Sequence, residues 1–422
     1  MTTAHRSVCH FQKLMTDFEF IKEENNASSL RSQKTVIETF SINQITASRF
    51  INEFWTSKQR QANPIHEISY RACFKPQLPA FFIQKLTKKG DYVYDPFSGR
   101  GTTIIEAALN ERIGVANDIN PLSKMLAKPR LTIPTIEEIK VRLNKLNIDY
   151  SLKSDIDLSM FYEKKTLSEI LSLRAYLKKK KDNNSEDSID EWIRMIATNR
   201  LTGHSTNFFS VYTLPPNQAI SAGKQKKINK ERNQKPEYKD VKRIILKKSN
   251  DLIGRISDET KRHLSKYSKQ AIFVNKDARY TNEIKDNSIQ LTVTSPPFLD
   301  VIQYAADNWL RCWFNHINVQ EVAKNITMSK TVQEWTDVMN DVFKQLFRIT
   351  KRGGWVAFEV GEVRNGKIKL DEHVVPIGIA HGFSYAGILV NQQEFTKTAN
   401  IWGVSNNAKG TNSNRIVIFH KP

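Results

Sequence analysis

Cysteine is scarce: the 422-residue chain has only Cys9, Cys73 and Cys312, far apart and odd in number. With no CxxC pair or Cys/His cluster beside them, a disulfide framework and a structural zinc site are excluded, and a reducing cytoplasm fits. Glycine (16) and proline (14) fall below ordinary usage while aromatic residues reach 10%, so collagen, a wholly disordered chain and a low-complexity scaffold are excluded. No stretch nears the roughly 18 apolar residues of a membrane span, and the opening MTTAHRSVCHFQKLMTDF has no continuous apolar segment. The expectation is a folded cytoplasmic chain without membrane attachment, long enough for two parts.

Negative charge is in deficit as well. There are 64 Lys+Arg against 44 Asp+Glu, a formal net charge of +20. Basic side chains that neutralise phosphates release counterions, so the imbalance suits a polyanion partner, and equally a solvated basic surface. Residues 200–270 hold 17 Lys+Arg and 6 Asp+Glu, an excess of 11 in about a sixth of the chain.

Four segments follow from the patterning: an N-terminal extension (1–64), a first core block (65–130), an insertion (131–270) and a second core block (271–422). Apolar residues at helical spacing from Ile45 to Trp55 predict a packing helix. DYVYDPFSGRGTTIIEAALNERIGVANDINP reads as strand, Gly-containing turn, helix and a second strand ending at Asp118. AIFVNKDARY, NSIQLTVTSPPF, GGWVAFEVGEV, SYAGILVNQQEF and NRIVIFHKP supply further strands, for about seven in a doubly wound α/β sheet. The insertion is too long for a loop within such a sheet. KKKKDNNSEDSIDE (178–191) reads there as a mobile charged tract, and Val241, Ile245, Leu252 and Ile256 form the apolar face of a basic helix.

Two motifs carry chemistry. Asp95-Pro96-Phe97-Ser98-Gly99-Arg100-Gly101-Thr102-Thr103 sits where a strand meets a helix; its glycines permit a tight turn and close ligand approach, and free N–H groups lie at the helix start. Asp118 ends the next strand 17 residues after Gly101, placed to accept from a ribose diol. No Gly-Lys-Ser/Thr and no full GxGxxG is present, so the ligand needs a ribose without a pyrophosphate. Thr294-Ser295-Pro296-Pro297-Phe298 follows an apolar strand. Its prolines remove two donors and stiffen a carbonyl array beside a hydroxyl and a ring, which suits a flat base with an exocyclic amine.

DPFSGRGTT together with TSPPF resembles the S-adenosylmethionine-dependent amino-methyltransferases of DNA, in their N4-cytosine branch, over about 65–130 and 270–422. Ser-Pro-Pro-Phe/Tyr is typical of that branch and Asp/Asn-Pro-Pro-Tyr/Phe of adenine-N6 enzymes, so Ser295 discriminates. The resemblance implies a Rossmann-like seven-stranded methyltransferase sheet with an inserted, largely helical target-recognition region. It implies S-adenosylmethionine as cofactor, held by the Asp95–Thr103 loop, Asp118, Asp277, and Phe74, Lys75 and Pro76 at the methionine end. Catalysis falls to Ser295, Pro296, Pro297 and Phe298, on a cytosine flipped out of double-stranded DNA. No metal is implied. With the motifs in this order the insertion reads DNA: phosphate contacts are expected from Lys224, Lys242, Lys247 and Lys248, and pocket contacts from Asn207, Tyr212, Asn217 and Tyr304. A restriction endonuclease acting on the same site is the further implied partner. Adenine-N6 methylation and an RNA amino-methyltransferase remain the alternatives.

Overall fold

A computed structural model describes residues 3–23, 30–42, 45–55, 62–71, 73–214, 220–297, 304–325, 329, 331–363, 368–392 and 413–422. A helix over Thr3–Thr16 precedes an antiparallel ribbon of β1 (Glu19–Glu23) and β2 (Leu30–Lys34). β3 (Val36–Ile42) and β4 (Ile45–Asn52) form a hairpin. β5 (Tyr92–Asp95), the helix Thr102–Leu109 and β6 (Ile113–Asn117) make the expected βαβ unit, with β5 and β6 parallel. After the insertion come β7 (Ile272–Val274), β8 (Ile289–Thr294), β9 (Thr350–Val360), the short pair β10 (Glu362–Val363) and β11 (Ile368–Lys369), then β12 (Ser384–Gln392) and β13 (Ser413–His420).

Nine of these strands form one sheet in the order β3-β4-β12-β13-β9-β8-β5-β6-β7. The seven from β12 to β7 are the strands expected of the α/β core; β13 runs antiparallel to both neighbours. The additional two are β3 and β4, so the Ile45–Trp55 stretch is a strand rather than the helix its spacing predicts. Its β-branched Ile45, Thr46 and Ile51 suit a pleated surface, and β12 pairs with it in parallel from Ile388↔Arg49 to Asn391↔Asn52. That partner lies far along the chain, where local periodicity cannot see it.

Helices cover both faces. Val332–Ile349 buries Trp335, Met339, Val342, Phe343, Leu346 and Ile349, spaced by three or four, against one side of the sheet. On the other side Phe11 and Met15 of the first helix and Phe81 and Phe82 of Gln77–Leu86 pack on Val93, Leu291 and Val293.

Between β6 and β7 the described residues of the insertion fold as six α-helices: Ile136–Asn144, Lys164–Asp182, Ser188–Arg200, Ala222–Glu231, Val241–Ile253 and Asp258–Ser268. Val241, Ile245, Leu252 and Ile256 are buried, as the pattern predicts. The 178–191 tract differs from its reading as a mobile connection: it closes one helix and opens the next. Asp187 caps Ser188–Arg200 and pairs with Arg142 at 2.7 Å, while Asp190, fully buried, bonds the same guanidinium. Charge there is matched locally, which allows it to be ordered. Among the described residues no helix is long and apolar enough to cross a membrane.

Candidate active site

The strand order reverses at β5, which has β6 on one side and β8 on the other; the crevice beyond the carboxyl ends of such strands is where open α/β sheets bind ligands. Asp95 ends β5 at that point. One carboxylate oxygen accepts from Thr294 Oγ1 at 2.7 Å and the Phe97 amide at 3.1 Å, the other from Thr103 Oγ1 at 2.8 Å. Burial pushes its carboxyl up to about 6 even with these donors. Asp95 therefore ties the end of β8 to the loop and to the next helix.

The loop after Asp95 turns back through two left-handed glycines, Gly99 at φ 50° and Gly101 at φ 78°. A Cβ on Gly101 would meet Ala127 Cβ at 2.4 Å, so the turn needs glycine there both for space and for backbone conformation. Ser98 bonds the Asn117 carbonyl through its amide and its hydroxyl, each at 3.0 Å. Arg100 and Arg130 point inward and donate to main-chain carbonyls, Arg100 to Ile68 at 2.9 Å and Arg130 to Ile65 at 3.3 Å, which pins residues 65–68 beneath the loop.

Asp118 follows β6 and accepts from the Gly99 amide at 2.8 Å and the Asn120 amide at 2.9 Å. Burial raises its carboxyl to about 7, against the pull of both amides. Across the crevice Asp277 is gripped by Arg279, whose Nη2 lies 2.7 Å from one oxygen and Nε 3.0 Å from the other. Burial opposes ionisation of Asp277, but the Arg279 contacts outweigh it and hold the carboxyl below its usual range. Pairing within the protein thus already engages the acid expected to meet the adenine.

Ser295 comes one residue after β8. Its hydroxyl lies toward the carboxylate of Glu359, a buried residue of the neighbouring strand β9, and favours the ionised form of that acid. Burial pushes Glu359 up to about 7, while Asn414 and Ser295 work in the opposite direction as donors. At the far side of the turn, Trp335 Nε1 donates to the Pro297 carbonyl at 3.0 Å.

Ser295, Pro297, Asp95, Pro96, Phe97 and Ser98 line one pocket of about 1070 Å³, with Gly99, Thr102, Asp118, Asp277 and Phe74 around the same space. Gly101, Thr103 and Pro296 are not among its lining residues. Pro76 borders a separate cavity with His66, Glu67 and Arg100, and Lys75 lies outside the lining of both. Phe298 and Asn217 lie outside the described residues, as does the side chain of Tyr304, whose backbone opens the helix Tyr304–Asp307. Tyr70 and Cys73 line the pocket from the same segment as Phe74, and lining residues to which the sequence gives no pointer include Asn120, and Trp335, Val338, Met339 and Val342 on one helical face. For Glu359 the signal in the sequence is a carboxylate within the apolar run WVAFEV.

In the insertion Lys224, Lys247 and Asn207 are exposed. Lys242 donates to the Leu146 carbonyl at 2.7 Å, and Lys248 reaches Glu67 at 3.4 Å, a residue that Arg255 also holds at 2.6 Å. The Arg232 guanidinium stacks 3.8 Å from the Tyr212 ring centroid.

Residues 2–128 match the N6/N4 family described as DNA methylase. The type II methyltransferase M.MjaII of Methanocaldococcus jannaschii is 30% identical over 93 residues, 22% of this chain and 18% of that protein. M.MvaI of Kocuria varians, another type II methyltransferase, is 27% identical over 256 residues, 55% of this chain and 52% of its own. The chain spans about half or less of the length of these relatives. A TehB-like SAM-dependent methyltransferase from Corynebacterium glutamicum aligns with 82% of this chain and 87% of its own at 8% identity and a TM-score of 0.31, too low to carry an argument. Over residues 2–128 this chain is similar to the DNA methylases of the N6/N4 family.

Proposed function

We propose that this chain is a DNA amino-methyltransferase that uses S-adenosylmethionine to methylate the exocyclic N4 of a cytosine extruded from duplex DNA, as the modification enzyme of a restriction–modification system. One observation carries the reading: Ser295 and Pro297 line the same pocket as the Asp95–Thr102 loop and Asp118. A nucleoside site and an acceptor-rich Ser-Pro-Pro turn thereby share one space at the reversal of the strand order. The match to the DNA methylase family supports it.

The pocket residues fit that donor. Asp118 suits a ribose diol, and Phe97 with Val338, Met339 and Val342 offers apolar walls to a flat purine. Asp277 is already matched by Arg279, while Asp95 and Asp118 face the space as acids and Lys276 is the one basic residue of the described lining, which disfavours a pyrophosphate. When bound, the sulfonium supplies an electrophilic methyl group. A Ser295 hydroxyl hydrogen turned to Glu359 leaves the oxygen lone pairs to accept from the amine. With the Pro297 carbonyl engaged by Trp335, the Ser295 and Pro296 carbonyls are the other acceptors that can turn the amine lone pair out of the ring and toward the methyl. Glu359, through Ser295, can take the proton that the methylated amine releases. The base must leave the stack to reach this turn, and the basic insertion grips the duplex around it.

The test is methyl transfer from labelled S-adenosylmethionine to unmethylated duplex DNA, followed by nuclease digestion. N4-methylcytosine is the expected product. N6-methyladenine would move the target to adenine, and label found only in RNA would overturn the DNA reading.

A further inference from the structure

We infer that Trp335 is a positioning residue for methyl transfer: its indole N–H fixes the Ser295–Pro297 turn relative to the cofactor slot. This deepens the function proposed above and rests on it. Pro296 and Pro297 have fixed φ and no N–H, so neither amide can anchor the turn to the sheet. What remains adjustable is ψ, the angle that sets where each carbonyl points. The Pro297 carbonyl is held by Trp335 Nε1 at 3.0 Å, across 38 positions of sequence.

The donor is itself rigid. Trp335 is 2% exposed and stands one turn into Val332–Ile349, whose first turn is closed by a reciprocal capping box between Thr331 and Glu334. The same helix buries Val342, Phe343 and Leu346 against the sheet and presents Val338 and Met339 to the pocket. One helix therefore touches both the slot for the purine and the peptide that ends the catalytic turn. Without the indole N–H that peptide would be free to rotate, and a shift of about 1 Å at reacting groups can cost on the order of a hundredfold in rate.

The test removes the N–H. In Trp335→Phe, and in a protein carrying 3-benzothienylalanine at position 335, where sulfur replaces the N–H in a ring of the same shape, kcat should fall tenfold or more. In the isostere, which keeps the ring that lines the pocket, cofactor Kd by calorimetry and KM for DNA should stay within about twofold. The isostere answers the case in which Trp335→Phe fails to fold. Wild-type kcat in the isostere overturns the inference, as does a fall in kcat matched by an equal weakening of cofactor binding. If unmodified protein transfers no methyl to any DNA, the proposed function falls and this role with it.

Discussion

The Ser295 hydroxyl and the Glu359 carboxylate meet across two neighbouring parallel strands, where Thr294 of β8 pairs with Phe358 of β9. The register places the Ser295 hydroxyl beside a buried acid whose carboxyl is raised to about 7. Ionised, the acid can take a proton relayed through Ser295; protonated, it cannot. With its carboxyl raised to about 7, kcat should climb with pH through about 7 and level off above it. Glu359→Gln should remove that rise and lower kcat on the order of a hundredfold, read from single-turnover rates between pH 5.5 and 8.5. An unchanged profile would leave Glu359 a purely structural acid.

Asp118 should govern cofactor binding. Its carboxyl, lifted to about 7 by burial, is the stronger acceptor for a diol once ionised. Affinity for S-adenosylmethionine should therefore strengthen as pH rises through about 7. Asp118→Asn should weaken binding about tenfold to a hundredfold, since bonds to a charged acceptor contribute roughly 1.5–3 kcal/mol, and should flatten the pH dependence in calorimetry.

Asp95 should matter more for stability than for the ligand. Asp95→Ala strands the Thr103 and Thr294 hydroxyls and the Phe97 amide in a buried corner, at a cost of about 2–4 kcal/mol in urea unfolding. The pH sign is fixed by its raised value. The folded state keeps a proton up to about 6 that the unfolded chain releases near its ordinary value of 3.8. The stabilisation from that proton is complete below about 3.8 and is lost as pH rises through about 6. Measured against Asp95→Asn, the wild type should lose ground steadily between pH 4 and 7.

The insertion's lysines should separate into two groups. Charge reversal at exposed Lys224 and Lys247 should weaken DNA binding and reduce the salt slope by roughly one for each phosphate that is no longer neutralised. Lys248→Ala removes a partner of Glu67 instead, and should lower the unfolding midpoint with less change in the slope. Filter binding across a salt series distinguishes the two.

Much of the candidate site is legible in the sequence because it is local. The Asp95–Thr103 turn, Asp118 and the Ser295 turn each sit at a strand end marked by glycine or proline, and strand, turn and helix follow one another within about 25 residues. The apolar face of Val241–Ile253 can be read from its spacing for the same reason. Pairings over long distances cannot. Glu359 acquires meaning only when β9 lies beside β8, and Trp335 only when its helix folds back over the Pro297 carbonyl. Asp277 reads as a ligand contact, yet its neighbour Arg279, two positions on, holds the carboxylate; side-chain rotamers decide that competition. For the insertion, composition reveals the excess charge but not which lysines the fold engages.

The hairpin of β3 and β4 imposes an order on the making of the molecule. Phe54, just past β4, gives its amide to Asn391 of β12, 337 positions later. At a synthesis rate of about 5–20 residues per second, the hairpin leaves the ribosome on the order of half a minute before the strand that will cover its edge. Until then β4 offers an unpaired row of amides and carbonyls, flanked by the exposed Val36 and Ile37 of β3. A nascent chain of this protein is accordingly exposed to mispairing along the free edge of β4, and a chaperone that shelters newly made β-structure would act on β3 and β4.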